Sequence, residues 1–292
     1  MQKVLVTIKT MIKNVMKKEP VLSIAVILAV ISMFVVHPDD TYASYIDFRT
    51  LAILFCLMVI VAGMREIGVF DYIAQSLLNR VKSISGIVMI LVLLCFFLSM
   101  VITNDVALIT FVPFAILILK RFPKEVRCHW LIPCVVMQTA AANLGSMMTP
   151  IGNPQNLYLY GKANLQTSSF FLLMIPYTAL SLLLLIIWIA IHTKRKTDNE
   201  TNCMDGSTHK AVYAKTQSRK ISDKLRLTIY LILFFLSLLA VGRLISIWIV
   251  FACVIAWAAA FDSKLFRNAD YALLGTFTAL FVFIGNLGRI PQ

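Results

Sequence analysis

Of 292 residues, 60% are hydrophobic and 14% are charged, and the mean hydropathy is +0.84. Soluble domains carry roughly 25% charged residues, so an ordinary globular composition is excluded. The formal net charge of +13 raises nucleic acid as a partner, but the basic residues sit in loops between apolar runs, the pattern of a membrane protein with positive cytoplasmic loops, so no nucleic acid is expected.

Residues 1–20 open the chain with Lys9, Lys13 and Lys17 at four-residue spacing among apolar residues. This predicts a basic amphipathic helix on the cytoplasmic membrane surface. A signal peptide is the competing reading, but the apolar run 21–36 is longer than a usual hydrophobic region and Thr41-Tyr42-Ala43 is a poor cleavage site. The candidate spans are 21–36, 50–64, 85–119 (interrupted), 130–156 (interrupted), 168–191, 227–242, 244–261 and 271–288. The expected fold class is an all-α, multi-span helical membrane protein, with an interrupted hairpin at 85–119 and a broken helix at 130–156. The expected organisation is 1–20 as the amphipathic helix, 21–191 as the first membrane repeat with a leading span, 192–226 as a basic cytoplasmic linker, and 227–292 as connecting spans and the start of a second repeat.

Orientation follows from charge. With the N-terminus inside and 85–119 returning to its starting side, every Lys and Arg falls on cytoplasmic segments except Arg49, Lys162, Arg243 and Arg289. The bias does not separate a re-entrant hairpin from two full crossings. The expected location is a bacterial cytoplasmic membrane. Cys56, Cys95, Cys128, Cys134, Cys203 and Cys253 form no C-x-x-C pair and read as small hydrophobes, with no metal site.

A weak repeat relates DFRTLAILFCLMVIVAGMREIG (47–68) to DYALLGTFTALFVFIGNLGRIP (270–291). The two copies run in opposite directions across the membrane on the span count, as in inverted-repeat transporters. The second copy has barely begun at Gln292, so the second repeat is expected to be incomplete.

Two polar interruptions carry the chemistry. The first is Thr103-Asn104-Asp105, between uncharged runs on both sides. A carboxylate in hydrocarbon costs at least ~2.5–3.5 kcal/mol, so it persists only against protein, water or an ion. Amide and hydroxyl oxygens with unwound carbonyls suit a cation or proton, and a following helix N-terminus suits an anion. The second is AAANLGSMMTPIGNPQN (140–156), where Gly145, Pro150, Gly152 and Pro154 break the helix. Asn143, Ser146, Thr149, Asn153, Gln155 and Asn156 add polar side chains there.

The run TNDVALITFVPFAI, followed by GSMMTPIGNPQN, resembles the ion transporter superfamily. That group includes divalent anion/sodium symporters, citrate transporters, arsenite pump membrane subunits and some sodium/proton antiporters. Thr103, Asn104 and Asp105 fall on its hairpin-tip motif, and Ile151 to Asn156 fall on its second motif. The resemblance implies that Asn104 contacts substrate and coupling ion, that backbone from Gly145 to Gly152 completes the ion site, and that the protein is a homodimer. Asp105 replaces a neutral Thr, and Asn153 replaces a Thr. An acidic tip is closer to the arsenite-pump and antiporter branches and suits proton coupling. The family's second tip motif does not occur, so half the site is absent on this reading and the polypeptide is not expected to transport alone.

The expected function is secondary transport of a small anion, of citrate/dicarboxylate or oxyanion type, with no cofactor beyond a coupling sodium ion or proton. Thr103, Asn104, Thr149, Asn153 and Asn156 are the candidate substrate ligands. Asp105, Asn104, Gly145, Ser146 and Gly152 are the candidate coupling-ion or proton ligands. A sodium/proton antiporter or a non-transporting membrane assembly subunit are the alternatives. An enzyme is not expected, because His37, His129, His192 and His209 lie in loops or at span ends and no second acidic residue lies mid-span.

Overall fold

The computed structural model describes residues 19–78, 81, 83–120, 122–194 and 224–290. The amphipathic stretch before residue 19 and most of the basic linker lie outside the described residues. Thirteen helices and no strand occur among the described residues: α1 Pro20–Val35, α2 Tyr42–Tyr45, α3 Phe48–Glu66, α4 Val69–Leu78, α5 Ile84–Leu98, α6 Asn104–Leu119, α7 Lys124–Ser146, α8 Pro154–Lys162, α9 Thr167–Lys194, α10 Lys224–Val241, α11 Ile247–Phe261, α12 Leu265–Asn268 and α13 Tyr271–Leu287. This is an all-α membrane architecture. The segments Phe48–Glu66, Thr167–His192 and Lys224–Val241 are long and apolar enough to cross a membrane.

Short polar side chains start several of these helices. Asp47 accepts from Thr50 N at 3.0 Å at the head of α3, and Asp270 accepts from Leu273 N at 2.8 Å at the head of α13. The two copies of the weak repeat thus begin with the same N-cap chemistry. Ser83 caps α5, Thr103 caps α6 and Asn153 caps α8, with proline at the first turn of α8.

The chain forms two compact units. The first holds residues up to Val59 together with Ile247 onward. In it α1 packs on α13 through Ala25, Ala29, Ala279 and Val282. Alanines four apart on α1 let the two backbones approach closely. Asn286, fully buried on α13, donates to Ser32 Oγ on α1 at 2.9 Å. Phe55 sits among Phe251, Phe266 and Tyr271 at ring separations of 5.6, 6.3 and 6.5 Å.

The second unit runs from Ile60 to Ser246. Its centre is α5, α6 and α7, packed against one another. At 1.5 Å per residue α5 and α6 reach only about 22–24 Å, short of a hydrocarbon core of about 30 Å. They pack together as the two arms of a helical hairpin. Gln138, fully buried on α7, donates to the Leu91 carbonyl of α5 and the Phe111 carbonyl of α6, each at 3.3 Å. One side chain therefore ties both arms to the broken helix.

Some features of this unit differ from the sequence-based expectation. α4 forms an extra helix in a segment read as a loop, burying Phe70, Ala74 and Leu78 at four-residue intervals. Tyr160 is buried: its hydroxyl lies 2.9 Å from Thr167 Oγ1 and 3.4 Å from the Val241 carbonyl, which it can reach as donor. Cys56, Cys95, Cys128, Cys134 and Cys253 are free thiols. Cys203 lies outside the described residues.

Candidate functional site: two helix breaks that meet

α5 ends at Leu98 and α6 begins at Asn104, so Ser99–Thr103 is the tip of the hairpin. α7 ends at Ser146 and α8 begins at Pro154, so residues 147–153 are unwound. The two breaks lie against each other. Asn104 N donates to the Gly152 carbonyl at 2.9 Å. Thr149 Oγ1 donates to the Met100 carbonyl at 2.5 Å. Asn104 Nδ2 donates to Asn143 Oδ1 at 3.0 Å.

Glycine makes the approach feasible at two places. A Cβ on Gly145 would stand 2.0 Å from the Phe96 carbonyl oxygen of the hairpin and 2.8 Å from Ser99 Oγ. A Cβ on Gly152 would stand 2.2 Å from the Ser146 carbonyl oxygen. The nearest obstacle in each case is main chain, which cannot yield as a flexible side chain would.

The second break is held in shape by its own asparagines. Asn153 accepts from Asn156 N at 2.8 Å as the cap of α8, and its Nδ2 donates to Ser146 Oγ at 3.1 Å. Asn156 Nδ2 lies 3.2–3.3 Å from the carbonyls of Ser146, Met147 and Thr149. Ser146 and Met147 close α7, where the last carbonyls lack helical partners, and the Thr149 carbonyl of the unwound segment also accepts from Gly152 N at 3.3 Å. Ser146 Oγ donates to the Asn143 carbonyl at 2.9 Å.

The candidate residues are thus brought together in one place. Thr103 is buried and accepts weakly from Val106 N at 3.5 Å as the α6 cap. Asp105 is exposed on the first turn of α6, at the positive end of that helix. Ser146, Gly145 and Gly152 are buried, and Thr149, Asn153 and Asn156 are half-buried. The side-chain donors of Thr149, Asn153 and Asn156 point into the protein, onto Met100, Ser146 and the end of α7. Two helix N-termini, of α6 and α8, and two C-termini, of α5 and α7, converge there. Amide ends favour negative charge and carbonyl ends favour positive charge.

Asn143 is the residue of the site that sequence reading left among general polar groups. Its pairing with Asn104 joins positions 39 apart, and no local spacing announces it. Gln138 is committed to interhelical carbonyls and belongs to the scaffold below the site.

The sequence pattern of a family described as citrate transporter matches residues 4–290. A protein of Methanocaldococcus jannaschii named an uncharacterized transporter is 30% identical over 269 residues, covering 92% of this chain and 68% of its own length. The inner membrane protein YbiR of Escherichia coli is 30% identical over 266 residues, covering 89% of this chain and 65% of its own length. A silicon efflux transporter of Oryza sativa is 28% identical over 155 residues, covering 51% of this chain and 30% of its own length. The chain spans about two thirds of the length of the first two relatives.

Proposed function

The chain belongs to the citrate transporter family, and from that premise we propose that it serves secondary active transport of a small anion, of citrate/dicarboxylate or oxyanion type, coupled to sodium or protons. The observation that carries this reading is the direct contact of two polar helix breaks, seen in the bond from Asn104 N to the Gly152 carbonyl. Irregular backbone at membrane depth is tolerated where it is buried in protein or lines a cavity.

In this proposal the N-terminal ends of α6 and α8 attract the anion, with Thr103 and Asn104 on one wall and the segment braced by Thr149, Asn153 and Asn156 on the other. Asp105 and Asn104, with the backbone around Gly145, Ser146 and Gly152, take the coupling ion or proton. Alternating access would move one part of the transporter against the other around this site. The silicon efflux name of the Oryza sativa relative supports testing substrates beyond carboxylates. The distribution of Lys and Arg supports a multi-pass protein of a bacterial cytoplasmic membrane with its N-terminus inside. A homodimer rests on the family resemblance.

The second reading, a sodium/proton antiporter, is favoured by one feature: an acidic side chain, Asp105, beside the tip. Uptake of labelled citrate, succinate, arsenite and sodium into proteoliposomes under defined sodium and pH gradients separates the two. Gradient-driven anion uptake is the result this proposal predicts, and it would overturn the sequence-based expectation that the polypeptide does not transport alone. Sodium/proton exchange without anion flux would support the antiporter, and absence of both would leave the membrane assembly subunit.

A further inference from the structure

Asn104 on α6 and Asn143 on α7 are joined amide to amide, with Asn104 Nδ2 donating to Asn143 Oδ1 at 3.0 Å. Asn143 Nδ2 in turn donates to the Thr139 carbonyl, one turn back on α7, at 2.9 Å. The direction of this chain is set at its far end. A main-chain carbonyl only accepts, so Asn143 must turn its NH2 toward Thr139 and its oxygen toward Asn104. Asn104 must then turn its own NH2 toward Asn143. Its main chain is also held, by the bond to Gly152.

Beside one further N–H on Nδ2, the Asn104 side chain keeps Oδ1, which is buried and has no hydrogen-bond partner among the described residues. A buried carbonyl oxygen without a partner is costly, and only a donor or a cation relieves it. The second N–H of Asn104 Nδ2 can still donate to an anion, but Oδ1 only accepts, so a cation or a donor is what it can take.

We propose that Asn143 is a positioning residue of the transport site: by accepting from Asn104 Nδ2 it aims Asn104 Oδ1 into the site as a ligand for a monovalent cation. This rests on reading the two breaks as the coupling-ion site, and it divides the labour within that site. Asn104 Oδ1 serves the cation, and the anion is left to the helix N-termini and the remaining Asn104 N–H. The chemistry required at position 143 is an acceptor at the reach of an amide oxygen. Asn143→Asp keeps that acceptor, whereas Asn143→Ala and Asn143→Leu remove it. Asn143 is exposed, so none of the three changes opens a hole in the core.

The test is thermal unfolding of the purified full chain in detergent, titrated with NaCl or LiCl against choline chloride at constant ionic strength, beside uptake by the same protein in proteoliposomes. The half-saturating Na+ concentration is expected to rise roughly tenfold in the Ala and Leu variants, the worth of one hydrogen bond of this kind. In the Asp variant it is expected to return to within about threefold of wild type, because the bond it restores is charge-assisted. A packing role would show the reverse order, with Leu tolerated and Asp not. Equal half-saturation in wild type and the Leu variant, or failure of Asp to rescue, overturns the positioning role. A wild type that transports but responds to neither Na+ nor Li+ overturns the cation assignment and leaves the transporter reading standing. No response together with no uptake overturns both.

Discussion

Asp105 sits one residue beyond the asparagine whose main chain is pinned to Gly152, exposed on the first turn of α6. If it carries the coupling proton, Asp105→Asn flattens the pH dependence of transport while leaving the protein in the membrane. Uptake rates from pH 5 to 8 read this, and an unchanged profile removes Asp105 from that role. Asn104→Ala is expected to raise the half-saturating concentration of cation at least tenfold, about 1.4 kcal/mol, without loss of membrane insertion. Gly145→Ala is a sharper structural probe. Its Cβ would stand 2.0 Å from a hairpin carbonyl, so the break must open or α7 must shift. Overpacking of this kind costs about 1–3 kcal/mol, and loss of transport with retained folding is the expected outcome.

At the scale of the element, the second break depends on Asn156, whose amide covers the carbonyls of Ser146, Met147 and Thr149. Asn156→Ala leaves those groups without that donor and is expected to lower stability by about 1–3 kcal/mol, read by denaturant or thermal unfolding in detergent. Asn156→Asp should not rescue it, because an ionised carboxylate only accepts. The breaks themselves were legible in sequence because Pro150, Pro154, Gly145 and Gly152 interrupt an apolar run together with polar side chains. The hairpin tip was legible because Asn104 and Asp105 are expensive in hydrocarbon unless sheltered. The Asn104–Asn143 pair was not legible, since it depends on how α6 lies against α7 and leaves no periodic trace. α4 was missed for a related reason: its buried face is only Phe70, Ala74 and Leu78, too short a pattern to stand out between charged residues. The burial of Tyr160 leaves no trace in its alternation of leucine and tyrosine, because it is the ends of α9 and α10, the latter far along the chain, that cover it.

At the scale of the molecule, each unit has its own means of cohesion. In the unit built on α1 and α13, Arg289 reaches back to Asp39 at 2.8 Å and to Thr41 Oγ1 and Tyr45 Oη at 3.0 Å each. The Thr41 hydroxyl, and then Arg289, hold the Asp39 carboxyl below its ordinary range. A lowered carboxylate pKa stabilises the folded form at neutral pH, and the contribution is lost only as pH falls through that lowered value. Acidification should therefore loosen this clamp at a lower pH than an ordinary surface aspartate would titrate, and Asp39→Asn should abolish that acid-dependent step in protease protection of the 36–46 segment. In the other unit, Gln138 couples both hairpin arms to α7, so hairpin and broken helix are held as one body around the site.

That the two breaks meet as one polar site is tested most directly by disulfide trapping. Met100→Cys and Thr149→Cys would be combined in a chain whose six native cysteines are replaced, and oxidised mildly in native membranes. Thr149 Oγ1 lies 2.5 Å from the Met100 carbonyl, which by covalent geometry holds the two Cα atoms within about 7 Å, so this pair is expected to cross-link. Absence of a cross-link there, while a control pair at Ser32 and Asn286 forms one under the same oxidant, would contradict the meeting of the breaks.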